Sequence, residues 1–337
     1  MLEDNFMTIK DFRTMDFEYS SLKNSTFFIT GATGLLGSAL VETLIKLDLN
    51  IKIIVFVRSK EKAYRKFGEA VKYYVGDIQN EISVEDAVDY VIHCANPTSS
   101  SFFVKNPVET IETAVNGSFN ILKFSLVKKP QIVIFLSTME IHGTPQKGVK
   151  VHVEDGGSFD TQKVRNCYPL SKMLCENLFL SYHDEYNLNT CVLRLTQTFG
   201  PGIEYDDNRV FAEFARCVIE QRDIVLKTKG TTERSYLYVS DAIDAILKII
   251  LNGVPGNVYT AANESTYCSI YDMAQLVARK GNINVVIKEM DINKFGYANE
   301  LYMDLDTSKL QDIGWKAKVG LSEAYDNLIE YMKNKKR

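Results

Sequence analysis

Residues Thr30-Gly31-Ala32-Thr33-Gly34-Leu35-Leu36-Gly37 follow directly on the apolar run Phe27-Phe28-Ile29 and lead into a stretch of helical character, Ser38 to Lys46. A GxxGxxG string alone constrains little. Between a strand and a helix it builds a corner where backbone N–H groups and the helix dipole converge on an anion such as a diphosphate. Gly31 and Gly34 permit the tight turn and a close approach of the ligand, and Gly37 permits the helix to pack on the strand.

The rest of the chain repeats the alternation. Strand-like runs stand at Ile51–Val57, Val71–Val75, Tyr90–Cys94, Gln131–Ser137 and Cys191–Leu195, with a helical stretch from Asn106 to Val127. Such alternation predicts an α/β fold, a Rossmann-like doubly wound parallel sheet with helices on both faces. Ligands then sit outside the carboxyl ends of the strands. Past residue 196 the pattern turns irregular, which suits a smaller C-terminal substrate-binding lobe. The expected division is an N-terminal extension over 1–24 and a dinucleotide domain over 25–195 with a return segment about 235–260. The lobe takes 196–234 and 261–333.

Composition narrows the partners. With 337 residues and a net charge of -4 there is no basic stripe, so no nucleic acid is expected. No apolar run is long enough to span a membrane, and residues 1–24 carry charges throughout, so neither an anchor nor a leader is expected. The ending Lys333-Asn334-Lys335-Lys336-Arg337 reads as a solvated tail. Six scattered cysteines without a CxxC pair read as reduced thiols of a cytoplasmic protein, and four histidines show no metal-ligand spacing.

Tyr168-Pro169-Leu170-Ser171-Lys172 places a phenol and an ammonium on one helical face. A phenol of ordinary pKa is a poor base at neutral pH, and a neighbouring cation favours its phenolate. It could then take a proton from a sugar hydroxyl. Thr138, at the end of a strand, could bond the same hydroxyl. The glycine corner, Thr138 and Tyr-x-x-x-Lys, in that order, form a joint signal stronger than any one of them.

At these residues the chain resembles the extended short-chain dehydrogenase/reductase family, in particular its nucleotide-sugar epimerases, dehydratases and decarboxylases. Gly76-Asp77-Ile78, His93 to Pro97, Ser137 to Gly143, Arg194 to Gly202 and Arg234 to Asp241 carry the likeness further. The resemblance implies NAD or NADP, held by Gly31, Thr33, Gly34, Leu35, Leu36, Gly37, Arg58, Asp77, Ile78, Ala95, Tyr168 and Lys172. It implies Thr138, Glu140, Tyr168 and Lys172 as catalytic residues, and Gln197, Arg209 and Arg234 around the substrate. It also implies a homodimer through helices at about Leu170–Glu185 and Val108–Val127, both richer in apolar residues than one buried stripe requires. Where an acidic residue would hold the ribose of NAD, Val57-Arg58-Ser59-Lys60 stands instead, and Arg58 suits the 2′-phosphate of NADP.

Within the family the motifs are most similar to UDP-glucuronate decarboxylases. Asn96-Pro97-Thr98-Ser99, Asn106-Pro107, Ser137 to Gly143 and Arg165-Asn166-Cys167-Tyr168 carry this likeness. Glu140 would face C5 or C6 of the sugar. In 4,6-dehydratases an Asp usually precedes such a Glu, and a thioether at Met139 cannot protonate a leaving hydroxyl. The chain departs from the group at Gln197, where Asn is usual, and at His142, where Tyr is usual. It also has no Arg between Gly281 and Lys336. The expected reaction passes through a 4-keto sugar and ends in decarboxylation. A 4-epimerase or a 4,6-dehydratase is the alternative within the family, and a non-catalytic NADP-binding regulator the alternative of another class.

Overall fold

The computed structural model describes residues 20–289 and 300–335. Residues 1–19 of the expected extension, and Lys336 and Arg337 of the basic tail, lie outside the described residues. Strand β1 (Thr26–Thr30) enters the glycine turn and helix α1 (Leu35–Lys46) leaves it. The helix begins one turn earlier than its periodicity suggests. Gly34 is its N-cap, and Ser38 returns both its backbone N–H (2.9 Å) and its hydroxyl (2.6 Å) to the Gly34 carbonyl. Next come β2 (Lys52–Val57), α2 (Lys60–Phe67), β3 (Lys72–Val75) and β4 (Tyr90–His93). A short α3 (Ser100–Lys105) and a long α4 (Pro107–Lys128) lead to β5 (Ile132–Thr138). Pro107 opens α4, where its missing N–H costs nothing.

Beyond β5 lie β6 (Lys150–Val151), α5 (Cys167–Tyr186), β7 (Thr190–Leu195), β8 (Gln197–Phe199) and α6 (Val210–Glu220). They are followed by β9 (Ile224–Leu226), β10 (Glu233–Tyr238), α7 (Val239–Asn252), β11 (Asn257–Ala261), β12 (Asn263–Ser269) and α8 (Ile270–Gly281). The described chain finishes with β13 (Val285–Ile287), β14 (Tyr302–Leu305), α9 (Ser308–Gln311) and α10 (Leu321–Lys335).

Seven parallel strands form the main sheet in the order β11-β7-β5-β4-β1-β2-β3. Every residue of β5 and β7 is buried, as a sheet covered on both faces demands. Alternate residues serve opposite faces. Phe27, Ile29 and Val55 join one core with Leu40 and Ile243, whereas Phe28, Ile54 and Val133 join another with Leu122 and Phe179. The doubly wound Rossmann-like fold is therefore as expected. Its strand order reverses between β1 and β4, and the crevice opens there.

A second sheet, β12-β10-β14-β6 with β8 on β10, is built from short strands distant in sequence. The chain steps onto it from β7 through Thr196. The Thr196 N–H donates to Ala261 in the main sheet (3.2 Å) and its hydroxyl to the Ser235 carbonyl of β10 (2.7 Å). That step sets Gln197 opposite Tyr236, with Arg234 two residues earlier on β10.

Candidate active site

The glycine corner closes on the end of β4. Gly31 has φ +66°, and a Cβ there would lie 2.7 Å from the Ala95 nitrogen and the Cys94 carbonyl carbon. At Gly37 a Cβ would lie 2.3 Å from the Gly31 carbonyl oxygen, so only glycine lets helix and turn meet. A Cβ at Gly34 would meet nothing nearer than 3.4 Å. No side chain caps α1, so the N–H groups of its first turn, at Leu35 and Leu36, face the crevice without a side-chain partner.

Thr30 braces this corner. Its hydroxyl oxygen accepts the Ala95 N–H (3.2 Å), and the hydroxyl also hydrogen-bonds with His93 Nδ1 (2.8 Å). Burial, with a contribution from Lys172, pushes His93 down to about 3 and keeps the imidazole neutral. Arg58 is exposed at the end of β2, and no carboxylate stands there. The Asp77 carboxylate accepts the Gln79 N–H (2.9 Å), and Ile78 is buried against Gly117. Arg58, Asp77, Ile78 and Ala95 thus all lie at carboxyl ends of neighbouring strands. Two features here are what a dinucleotide requires, and the residues fit one: a cradle without Cβ atoms and an uncapped helix start.

The chemical residues gather at the end of β5. Thr138 caps the short turn Met139–His142, its hydroxyl accepting the Glu140 N–H (3.2 Å). Tyr168, on the first turn of α5, is buried and hydrogen-bonds with Thr138. Burial and the Glu140 carboxylate raise the phenol above its ordinary range, while the Thr138 bond and Arg165 pull it back. A cation beside the phenol was expected to favour the phenolate, and here burial outweighs it. The reason lies in Lys172. Its ammonium donates to the Leu136 carbonyl (2.7 Å) and sits 4.4 Å from the centroid of the Phe135 ring. Burial lowers it to about 8.

Glu140 is half-buried and faces Tyr168, with Arg165 Nη2 3.5 Å from its Oε2. Met139 turns the other way, into a small core with Val151, Ala262 and Met303. The three residues expected around the substrate divide. Arg234 has a buried Nε with no partner. Arg209 closes its fork on Asp207 (2.6–3.1 Å) and stacks on Phe211. Gln197 is half-buried at the start of β8.

Several contributors escape sequence reasoning. Phe103 of α3 stacks on Tyr168, ring centroids 4.1 Å apart and 8° from parallel. The Arg165 guanidinium lies over the same Phe103, 5.2 Å from its centroid. Behind the site, Arg194 holds Glu176 at 2.7–3.1 Å and donates to the Val153 carbonyl (2.5 Å), and Glu176 also takes the Ser137 hydroxyl. This buried pair fastens α5 to β5 and β7. His142 donates Nδ1–H to the Asp155 carbonyl (2.7 Å), and burial, then Arg194, lowers it to about 4. Of these, Arg165, His142 and Arg194 lie inside the motifs quoted above, but their contacts leave no trace in the sequence.

The pattern of the NAD dependent epimerase/dehydratase family matches residues 27–262. UDP-glucuronic acid decarboxylase 6 of Arabidopsis thaliana is 30% identical over 322 residues, which cover 90% of each chain. UDP-glucuronic acid decarboxylase 3 of the same plant is 29% identical over 322 residues, with 90% of each covered. Among solved structures, UDP-glucose 4-epimerase of Thermotoga maritima with UDP-glucose superposes with a TM-score of 0.81 at 21% identity, covering 93% of this chain and 100% of that one. dTDP-glucose 4,6-dehydratase of Bacillus anthracis in complex with NAD gives 0.75 at 18% identity, covering 92% and 97%.

Proposed function

The chain belongs to the NAD-dependent epimerase/dehydratase family, and from that premise we propose that it acts on a nucleoside-diphosphate hexuronate through a 4-keto sugar, with loss of the C6 carboxylate as CO2. The observation that carries this reading is the orientation of the turn after β5. Thr138 and Glu140 face Tyr168, whereas Met139 is packed in a core and supplies no acid. A dehydratase needs an acid to protonate its leaving hydroxyl. A simple 4-epimerase has no use for a carboxylate that is costly to hold beside an anionic substrate. Relatives about 30% identical over nine-tenths of the chain are named decarboxylases.

In this reading the glycine corner and the first turn of α1 hold the cofactor diphosphate, and Arg58 holds its adenosine end. The bound nicotinamide supplies a reversible two-electron acceptor, so the reaction needs no outside oxidant. Thr138 and Tyr168 bind the 4-hydroxyl, and Tyr168 removes its proton. Lys172 leaves the Leu136 carbonyl to stand beside the phenol, which lowers the cost of the phenolate. The unpartnered Nε of Arg234 marks it as the grip on the substrate diphosphate, with Gln197 beside it. Arg209, committed to Asp207, orders the start of α6.

Glu140→Gln tests the assignment. Reduced nicotinamide should still appear on mixing with UDP-glucuronate in stopped-flow absorbance, while product formation stalls. Unchanged product formation would return the chemistry to C4 alone.

We also place the protein in the cytoplasm, as a homodimer through α4 and α5. No helix among the described residues is long and apolar enough to cross a membrane. Ile121, Leu122, Phe124 and Phe179 of these helices are core residues. The outward apolar surface includes Val108, Ile111, Val127, Leu174 and Tyr186. Light scattering should give twice the chain mass, and a monomer at micromolar concentration would contradict it.

A further inference from the structure

Arg165 sits at the mouth of the site, in the turn before α5, with its side chain 37% exposed. Arg234 is taken up by the diphosphate in the reading above, and three other cations are already committed. Lys172 is buried on the Leu136 carbonyl, Arg194 is locked to Glu176 and Val153, and Arg209 is closed on Asp207. Arg165 makes one polar contact, to Glu140, at the outer limit of hydrogen bonding (3.5 Å). A guanidinium carries five donors, so most of its fork remains for a second carboxylate. Its central carbon lies 5.2 Å from the centroid of Phe103, and Phe103 is stacked on Tyr168. The cation is therefore held at a fixed place relative to the phenol.

An acidic sugar creates a problem that this arrangement solves. A C6 carboxylate entering beside Glu140 would bring two like charges together. A cation shared between them removes the repulsion and recognises the acid by a planar fork. We propose that Arg165 is the residue by which this site selects an acidic sugar: its guanidinium, spread on Phe103 and shared with Glu140, takes the C6 carboxylate of a nucleotide hexuronate whose 4-hydroxyl is held by Tyr168. The proposal rests on the hexuronate reading above and adds the residue that enforces it.

The test is calorimetric binding of UDP-glucuronate and of UDP-glucose to the full-length, cofactor-loaded protein. The wild type prefers the acidic sugar. Arg165→Gln lowers that preference by roughly 10–100-fold, the scale of one charged hydrogen-bonded pair. Arg165→Lys keeps a part of it, because the charge stays and the fork is lost. Adding Glu140→Gln to Arg165→Gln recovers some of the lost affinity for UDP-glucuronate, since the like charge is gone. Lys163→Gln, a 72% exposed cation two residues upstream, leaves the preference unaltered and controls for bulk charge. Equal weakening of both sugars by Arg165→Gln, or no preference in the wild type, would overturn the role of Arg165 and leave the hexuronate chemistry to be judged by its product. If the wild type binds neither sugar, the hexuronate reading fails and this one with it.

Discussion

Two buried neutral histidines should make this fold acid-sensitive by a calculable amount. His93 is held at about 3 and His142 at about 4, both below the free value of 6.5. A depressed histidine means that the unfolded chain binds more protons than the folded one, so stability falls as pH falls below about 6.5. Between pH 7 and pH 5 the cost is roughly 2 kcal/mol for each histidine, about 4 in all. Asp241 works in the opposite sense. Burial raises its carboxyl to about 6, so the folded state gains a proton in the same window and returns roughly 1 kcal/mol. The depressed carboxylate of Asp86 loses its contribution only below the ordinary carboxylate range, outside this window. The net expectation is a loss of about 2–3 kcal/mol, a large share of a typical domain stability of roughly 5–15 kcal/mol. Urea unfolding at pH 5, 6 and 7, with a constant dependence on urea, reads it directly. His142→Asn keeps a donor toward the Asp155 carbonyl and should remove about half of the histidine part, roughly 2 kcal/mol. Wild-type stability that is flat or rising from pH 7 to pH 5 would refute the reasoning, as would a His142→Asn protein with the full acid loss.

Tyr168→Phe should fold and bind cofactor normally but turn over about 10²–10⁴-fold more slowly, the usual worth of a positioned acid–base group. Turnover at the wild-type rate would remove Tyr168 from the mechanism. The unmodified protein should bind NADP more tightly than NAD, and Arg58→Ala should erase roughly 1–3 kcal/mol of that preference in calorimetry. Breaking the buried pair behind the site by Arg194→Met leaves Glu176 without its cation and should cost about 3–5 kcal/mol in urea unfolding. A loss under about 1 kcal/mol would show that the pair adds nothing beyond surface ion pairs.

The parts of this molecule that sequence made legible are those written in local patterns. The β1–turn–α1 unit is announced by glycines whose roles are backbone roles, and the buried strands β5 and β7 by unbroken apolar runs. The start of α1 was misplaced by three residues because Leu35, Leu36 and Gly37 carry no helical periodicity of their own. The second sheet was invisible for a different reason. β6, β8, β10, β12 and β14 are two to seven residues long and pair across gaps of up to about 150 residues, so no short window contains the pairing. At the site, order and spacing single out Tyr168, Lys172 and Thr138 as candidates. Phe103 and Arg165 were not assigned roles, because a ring stacked across 65 residues of sequence leaves no periodic trace. The commitment of Lys172 to the Leu136 carbonyl was equally hidden, since a backbone acceptor has no sequence signature. Arg209 had the right residue type for phosphate, but a carboxylate two positions earlier already claims it.

The central claim is that the C6 carboxylate leaves. Incubating the wild-type protein and its cofactor with UDP-glucuronate, and reading the product by mass spectrometry and NMR, addresses it directly. The account predicts a nucleotide pentose lighter by one CO2, with no net change in the redox state of the cofactor. Turnover that conserves mass, or that removes water while the carboxylate stays, would contradict it.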